Sequence, residues 1–258
     1  MQNNFVKLLA EKTKDNPAFI HLDFIGLIRL GKTNEIRIDK FCEMLKEIEN
    51  EGGNICIPAF TLSYTRNEIF NMKESPVVNI GMLPEVIRQK FPDRRTSDGL
   101  FSFTLIGNNF SKDNFIPKDT ATFGNSLMAE VFEKDGYLAS IGGVFKNTTE
   151  IHFLEKLLEV DYRSDKIFEG DLIDMENNSH RQKVTFFCKN FDYNLWYDFS
   201  KLEKDLKSEG LFEIIRSDDN SIYIEMIKFK TVFEFLKDKI KKDKNYLIRD
   251  LKDKRSER

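Results

Sequence analysis

Residues that often mark a reactive or metal-binding site are scarce in this chain. Its 258 residues include only 3 Cys, 3 His and 1 Trp. Cys42, Cys56 and Cys188 are odd in number and far apart, which excludes a disulfide framework and a zinc-binding spacing. We expect these cysteines to be reduced packing residues, and we expect no metal site.

Long apolar runs and a strong net charge are also absent. No segment approaches the roughly 20 apolar residues that cross a bilayer, and the opening MQNNFVKLLAEKTKDNP has no signal-peptide core. The net charge is −3, so no global basic field attracts nucleic acid. The composition, with 40% hydrophobic residues, predicts a cytoplasmic globular protein without membrane or nucleic-acid partners.

Most catalytic motifs are missing, including H-E-x-x-H, G-x-S-x-G and G-x-G-x-x-G. One motif is present in form: residues 26–33, GLIRLGKT, match the phosphate-binding loop G-x-x-x-x-G-K-[ST]. Such a loop surrounds phosphate with backbone N–H groups and favours small residues, whereas Leu27, Ile28 and Leu30 are bulky and apolar. These residues would crowd a phosphate and favour burial, which argues against nucleotide binding but leaves it open as an alternative.

The order of apolar segments predicts an α/β fold. AFIHLDF (18–24) and NICIPAF (54–60) are typical of buried strands, and an amphipathic helix over 38–53 joins them into a βαβ unit. We therefore expect a central, largely parallel or mixed sheet flanked by helices. Further helices are predicted over 79–91, 125–136 and 147–159, the last capped by Asn147 or Thr148, and further strands over 99–107 and 137–145.

The pattern changes after Tyr162. KVTFFCKNF and SIYIEMIKF predict antiparallel strands around the helix SKLEKDLKSEG, and His180 falls in a polar stretch, MENNSHRQ, that predicts a solvated loop. A charged, frayed tail, DLKDKRSER, follows. Without a linker, we expect a single domain over 1–258, with a motif-bearing core (1–166) and a C-terminal antiparallel elaboration (167–258).

His152 and Glu155 are the pair that most suggests chemistry. Their i, i+3 spacing on a predicted helix puts imidazole and carboxylate on one face. A neighbouring carboxylate stabilises the imidazolium and strengthens histidine as a base. The same spacing suits a surface ion pair or a satisfied core histidine, and spacing alone leaves these alternatives open. A second histidine, His21, lies in the first predicted strand, two residues before Asp23.

Five blocks of the sequence, in order, resemble the aminoglycoside 3-N-acetyltransferase family. The family patterns are P-x-F-[ST], G-x-L-x-E, R-S-x-H-P-x-x-S-F, F-G-x-x-S and N-x-T-x-x-H-x-x-E. A segment from His21 to Phe24, with Gly31, also resembles the family's first-strand block. This resemblance implies that Leu27, Ile28 and Leu30 pack a short helical segment and that Gly31 forms a turn. The five matching blocks here are Pro58–Thr61, Gly81–Glu85, Arg95–Phe103, Phe123–Ser126 and Asn147–Glu155.

The resemblance implies that acetyl-CoA is the donor and that a sugar amine is the acceptor. We expect a monomer or a homodimer. His152 would take a proton from the amine, Glu155 would orient His152, and Asp98 would hold the ammonium. Thr149, or backbone N–H groups near Gly142 and Gly143 or at the helix start at residue 147, would stabilise the oxyanion. The implied cofactor contacts are Phe60, Thr61, Ser102, Phe103, Phe123 and Thr149, and the implied substrate contacts are Asp23, Tyr64, Glu85 and Arg95.

One departure from the family pattern bears on the acceptor. Asp98 replaces the family's histidine, and the resemblance implies that some family members with aspartate there act on nucleotide-linked amino sugars. A nucleotide sugar needs cationic or aromatic contacts for its pyrophosphate, and Tyr64 with four arginines suits this need, unless the arginines only coat the surface. The expected function is N-acetylation of a nucleotide-linked amino sugar, such as a dTDP-3-amino-3,6-dideoxyhexose, for surface polysaccharide; the alternative is an aminoglycoside 3-N-acetyltransferase. The arginines are Arg66, Arg88, Arg94 and Arg95.

Overall fold

The structure is a computed structural model that describes residues 4–190, 195–197 and 199–250. Apart from its first residue, the predicted charged tail DLKDKRSER lies outside the described residues. The helices are α1 (Asn4–Thr13), α2 (Asn34–Asn50), α3 (Met82–Lys90), α4 (Leu127–Glu133), α5 (Ile151–Leu157), α6 (Phe199–Ser208) and α7 (Phe229–Lys242). The strands are β1 (Ala18–Leu22), β2 (Ile55–Pro58), β3 (Phe70–Asn71), β4 (Phe103–Ile106), β5 (Thr120–Ala121), β6 (Tyr137–Ile141), β7 (Arg163–Ile173), β8 (Ser179–Lys189), β9 (Leu195–Tyr197), β10 (Glu213–Arg216), β11 (Tyr223–Lys228) and β12 (Ile248–Asp250).

A six-stranded sheet organises the chain, in the order β10-β11-β6-β1-β2-β4. Strand β1 is parallel to both β6 and β2, and the outer pairings are antiparallel. All residues of β1, β2 and β6 are buried, as expected for strands covered on both faces. The predicted mixed α/β fold is confirmed. The carboxyl ends of the three parallel strands meet at one edge, which is where ligands bind in open α/β sheets.

The segment GLIRLGKT does not form a phosphate-binding loop. It belongs largely to a 3₁₀ helix over Phe24–Leu30, in which Leu27 and Leu30 are buried. Ile28, also expected to pack, is 52% exposed. Thr33 ends the motif by capping α2, because its Oγ1 accepts the N–H of Ile36 at 3.3 Å. The prediction of a short packed helix is therefore confirmed in outline.

A second sheet, in the order β3-β7-β8-β5, is built on the long β7–β8 hairpin. The prediction that KVTFFCKNF and SIYIEMIKF form antiparallel strands is confirmed, although they fall in β8 and β11 and belong to different sheets. Strand β11 completes the central sheet beside β6, where its apolar residues are buried. His180 lies in β8 and contacts Asp174 at 2.7 Å, so the prediction of a solvated loop is wrong.

The chain enters α5 through a short turn. A 3₁₀ turn over Phe145–Asn147 precedes the helix, and Glu150 occupies the N-cap position. The prediction that Asn147 or Thr148 caps α5 is wrong, because both residues belong to the preceding turn. As a consequence, Glu150 and His152 stand on either side of the first helical residue.

The remaining composition-based predictions concern cysteine and membranes. Cys42, Cys56 and Cys188 are free thiols and all are buried, which confirms that they are packing residues. In the described part of the chain, no helix combines the length and apolar character that crossing a bilayer requires.

Candidate active site

Helix α5 brings His152 and Glu155 together as their spacing predicts. His152 Nδ1 lies 2.5 Å from Glu155 Oε2. Glu155 is fully buried, whereas 18% of the His152 side chain is exposed. A buried carboxylate therefore orients an imidazole that solvent and ligands can reach.

The start of β7 adds two residues to which the sequence analysis gave no role. The Tyr162 hydroxyl donates to Glu155 Oε1 at 2.7 Å, and Arg163 Nη1 lies 3.2 Å from Oε2. Arg163 is itself fixed, because its Nε and Nη2 donate to the carbonyl of Phe187 at 2.9 and 2.6 Å. Both residues occur in the block DYRSDK that follows the family motifs, which was the available signal. The carboxylate of Glu155 thus has both a cation and a hydroxyl donor.

Charge and burial set the protonation of this cluster. Burial holds the pKa of His152 below its ordinary value; Glu155 opposes this effect, and the Arg163 cation adds to it. Burial alone would raise the pKa of Glu155, but His152, Arg163 and Tyr162 outweigh burial and lower it. At neutral pH the cluster therefore contains a neutral imidazole beside an ionised carboxylate and a guanidinium.

The contacts at Nδ1 determine which ring nitrogen carries the proton. Arg163 Nη1 lies 2.7 Å from His152 Nδ1, as well as close to Glu155 Oε2. A ring nitrogen cannot both donate to Glu155 and accept from Arg163. Nη1 has other acceptors, including the Tyr197 hydroxyl at 3.1 Å, so we assign the proton to Nδ1. Since the polar contacts of the ring with described residues are all at Nδ1, Nε2 can accept a proton.

Aromatic rings enclose the imidazole. Phe123, Tyr197 and Phe199 have ring centroids 5.7, 5.2 and 5.4 Å from that of His152. These rings exclude water from part of the imidazole surface, which strengthens the electrostatic interactions at Nδ1. Phe123, expected from the resemblance to contact the cofactor, is 2% exposed and serves as a wall of the histidine site.

A second histidine–carboxylate pair lies nearby and was not recognised in the sequence. His21, at the end of β1, has Nε2 2.6 Å from Oε2 of Glu150. The two side chains are 6% and 0% exposed. No local spacing relates residues 21 and 150, so only the tertiary fold reveals this pair.

A cavity of ≈ 560 Å³ opens at the carboxyl ends of β1 and β2. It brings together Asp23 and Thr149, both predicted site residues, with His21. Asp23 is exposed, and its Oδ1 accepts the N–H of Ile25 at 2.9 Å. His152 is not among the lining residues. The other lining residues are Leu22, Phe24, Pro58, Asn79, Ile80, Gly81, Met82, Leu83, Pro84, Val144 and Asn147.

Asp98 lines a different cavity, of ≈ 350 Å³. Its Oδ1 accepts the backbone N–H groups of Leu100 and Phe101, each at 2.9 Å. Its Oδ2 accepts from the hydroxyls of Thr120 and Thr122 at 3.2 and 3.0 Å. Both oxygens of Asp98 are therefore engaged within the protein. The cavity has an acidic wall, to which Asp113, Glu130 and Glu133 also belong, with Lys118 as a cation.

Arg95 and Ser102, two of the predicted ligand contacts, are fully buried and form hydrogen bonds within the protein. Arg95 Nε donates to Ser102 Oγ at 3.0 Å and Nη2 to the carbonyl of Ala59 at 2.7 Å. Its guanidinium lies 5.1 Å from the Phe70 ring, and burial lowers its pKa to about 9. These contacts connect the segments before β4 and after β2.

Five further predicted contacts also have partners within the protein. The hydroxyls of Thr61 and Tyr64 donate to Gly99 O and Gln182 Oε1, each at 2.9 Å. Phe60 and Phe103 pack against each other, with ring centroids 5.3 Å apart. Burial would raise the pKa of Glu85, but hydrogen bonds from Arg88, Val77 and Gln89 lower it to about 2. Among described residues, no hydrogen bond or ring contact joins these five, Arg95 or Ser102 to His152.

Comparison with known proteins identifies one family. The sequence profile of the aminoglycoside 3-N-acetyltransferases matches residues 25–240. Among curated proteins, no sequence matches significantly.

Solved structures match over most of their length at low identity. AAC-IIIb in a binary complex with CoASH has a TM-score of 0.68 at 15% identity, covering 92% of this chain and 95% of that chain. AAC-VIa bound to sisomicin gives 0.67 at 14% identity, covering 91% and 96%. The YokD protein from Bacillus subtilis gives 0.64 at 12% identity, covering 93% of each chain. At these identities, the structural matches establish a shared fold.

Proposed function

Because the chain belongs to the aminoglycoside 3-N-acetyltransferase family, we propose that it acetylates a sugar amine with His152 as the general base. The family makes it an acetyl-CoA-dependent N-acetyltransferase, and acetyl-CoA is the co-substrate. The observation that carries the role of His152 is the cluster it forms with Glu155, Tyr162 and Arg163. This cluster presents a neutral imidazole with Nε2 as the acceptor.

The proposed reaction is direct acetyl transfer. A bound ammonium must lose a proton before its nitrogen can attack the thioester carbon, and His152 Nε2 takes a proton during this process. Glu155 fixes the ring in the required tautomer and stabilises the imidazolium that forms. Thr149 and the backbone near Gly142 and Gly143 remain the proposed donors to the oxyanion.

We place the pantetheine arm of acetyl-CoA in the ≈ 560 Å³ cavity. The arm is uncharged and carries two amides, which suits a largely apolar lining with a few polar groups such as Asn79, Asn147 and Thr149. The fold relative AAC-IIIb was solved with CoASH, so this fold accommodates the coenzyme. Phe60, Thr61, Ser102 and Phe103 would shape the site from the core rather than touch the coenzyme, because all four are buried.

For the acceptor, we propose a nucleotide-linked amino sugar. The arginines first expected to bind the pyrophosphate have partners within the protein. A different cavity, of ≈ 700 Å³, offers Arg29, Arg216 and Tyr223 with no acidic residue in its lining. The Arg216 guanidinium lies 4.7 Å from the Tyr223 ring, a pairing that suits phosphate and base. The engaged arginines are Arg66 with Glu68, Arg88 with Glu85, Arg94 with Glu49, and Arg95 with Ser102.

An aminoglycoside is the second candidate acceptor, and the acidic cavity at Asp98 favours it. That cavity contains four carboxylates and one lysine, a balance that suits a polycation. AAC-VIa, a fold relative, was solved with the aminoglycoside sisomicin. The two proposals thus depend on cavities of opposite charge.

A thiol-release assay separates the two acceptors. The enzyme is given acetyl-CoA with a dTDP-linked amino sugar in one series and with gentamicin in the other. Arg29→Ser with Arg216→Ser should raise KM for the nucleotide sugar and leave KM for gentamicin unchanged. If the enzyme acetylates gentamicin but not the nucleotide sugar, the nucleotide-sugar proposal is rejected. If neither acceptor causes thiol release, both proposals are rejected.

His152→Asn tests the base itself. We expect kcat to fall by about 10²–10⁴, with KM for acetyl-CoA nearly unchanged, because a general base acts in the transition state. His180→Gln is the matched control, since His180 is also paired with a carboxylate, Asp174, but lies on the hairpin. A near-normal kcat for His152→Asn would remove His152 from the mechanism.

A further inference from the structure

The buried pair of His21 and Glu150 has no role in the mechanism above. Glu150 lies two residues before His152 at the start of α5, and the imidazole of His21 approaches its Oε2 at 2.6 Å. The helix therefore begins between two histidine–carboxylate pairs, His21–Glu150 and His152–Glu155.

The two pairs differ in their neighbouring charge. Glu155 has the Arg163 cation beside it, whereas no lysine or arginine of the described residues forms an ion pair with Glu150. An isolated carboxylate is very costly to bury, and among the described residues His21 is the one basic side chain that contacts Glu150. Arg163 gives Glu155 a cation in addition to His152. Such a difference in environment is what separates an acid from a base in one active site.

Unsatisfied polar atoms cluster around the second pair. Four buried side-chain atoms lack a hydrogen-bond partner among the described residues, and three of them are Ser140 Oγ, Thr148 Oγ1 and Glu150 Oε1. Ser140 is the register partner of His21 on the neighbouring strand β6. Buried polar atoms without partners are rare and indicate a water or ligand that completes the site. His21 also lines the ≈ 560 Å³ cavity, so the pair has a route to a bound molecule.

The charge of the second pair also influences the first pair. Burial is the main influence on the pKa of His152 and lowers it, but the charge of Glu150 is among the influences that raise it. This arrangement suits acetyl transfer, in which the acetyl carbon forms a bond to nitrogen beside one pair and loses its bond to sulfur beside the other.

We propose that His21, held by Glu150, donates a proton to the sulfur of coenzyme A as the thioester C–S bond breaks. This inference rests on the proposed function, and it adds an acid to the base already assigned. His152 would take a proton from the attacking nitrogen, and His21 would give one to the departing sulfur.

Protons and bonds balance over the cycle. The acceptor releases one proton to solvent when its ammonium becomes a free amine. As the C–N bond forms, the nitrogen loses its second proton to His152; as the C–S bond breaks, the sulfur gains one from His21. Transfer through water from His152 to His21 restores both groups, and the products are the amide and the free thiol.

The test compares donors whose leaving thiols differ in acidity. The leaving group of S-acetyl-N-acetylcysteamine is an alkyl thiolate, which needs a proton. The leaving group of an S-acetyl nitrothiobenzoate is a stable aryl thiolate, which does not. For His21→Gln we expect kcat to fall by about 10²-fold with both acetyl-CoA and the alkyl thioester, and KM for acetyl-CoA to stay unchanged. With the aryl thioester we expect a loss of less than about 3-fold, whereas His152→Asn should impair all three donors.

Controls separate an acid from a structural brace. Removing His21 alone leaves the buried carboxylate of Glu150 without a partner, which could destabilise the fold. The double variant His21→Gln with Glu150→Gln avoids this problem and should show the same donor dependence. His180→Gln should match the wild type with every donor. Equal losses of kcat with alkyl and aryl donors would overturn the acid role and make His21 a positioning residue. Absence of acetyl transfer by the wild-type enzyme would instead reject the proposed function.

Discussion

Glu155→Gln is the substitution that most directly tests the architecture of the histidine site. The change keeps the side-chain size but removes a fully buried charge that faces His152, Tyr162 and Arg163. Arg163, with 3% of its side chain exposed, would keep its charge without a counter-ion. Breaking a buried ion pair by removing one partner costs about 3–5 kcal/mol.

The expected loss of stability lies at the lower end of this range. The glutamine amide can still accept from Tyr162 or Arg163, so we expect a loss of about 3 kcal/mol. For a domain of this size, that corresponds to a fall in Tm of about 6–12 °C. The loss of stability does not account for the expected loss of activity. An amide N–H that donates to His152 Nδ1 moves the ring proton to Nε2 and so removes the base. We expect kcat to fall by about 10²–10⁴.

Two assays and one additional variant decide the outcome. Thermal unfolding measures the stability loss, and thiol release at a temperature well below the variant's Tm measures kcat. Adding Arg163→Met to Glu155→Gln removes both charges, so part of the lost stability should return while kcat stays low. Asp161→Asn, in a pair with Lys244 that is largely exposed, should change stability by less than about 1 kcal/mol. A Tm and kcat of Glu155→Gln both equal to the wild type would refute the reasoning.

Three further predictions concern the protonation of His152, the cap of α2 and the binding of nucleotide. By NMR, the His152 ring, identified by loss of its signal in His152→Asn, should titrate below the ordinary histidine pKa of about 6.5. Because the native ring binds its proton less readily than the unfolded one, its contribution to stability is present above that value and declines as pH falls below it; an unchanged or raised pKa would contradict the role of burial and Arg163. Thr33→Ala should cost about 1 kcal/mol in denaturant unfolding without changing kcat, because Thr33 caps α2. Mg-ATP should leave the wild-type Tm unchanged, and a clear rise would restore the nucleotide-binding interpretation of GLIRLGKT.

Local patterns predicted the parts of the fold that depend on local contacts. The strands at β1, β2 and β6 follow from short apolar runs, and α2 follows from its amphipathic spacing, although it begins at Asn34 because Thr33 caps it there. Strand β4 is shorter than its apolar pattern because residues 99–102 pair with the loop after β2, as in the bond from Thr61 N–H to Leu100 O. Pairing between distant segments decides such boundaries, and periodicity contains no information about it.

The same limit applies to the site. The i, i+3 pair of His152 and Glu155 could be predicted because helix geometry is local. Arg163 and Glu150 act through partners that the fold brings to them, Phe187 and His21, so their roles were not visible in the spacing. For Arg95, a place in a family motif predicts a substrate contact and gives no information on its partners in the fold, where its Nε and Nη2 donate to Ser102 and Ala59.

The contrast between the two histidine–carboxylate pairs explains why an arginine is buried at the start of β7. An imidazole next to a buried carboxylate would ordinarily hold a proton, and a protonated His152 could not act as a base. Arg163 supplies the positive charge that Glu155 requires, so that His152 does not have to supply it. The His21–Glu150 pair lacks such a cation among the described residues. Replacing Arg163 with methionine should therefore raise the pKa of His152 and weaken it as a base at neutral pH.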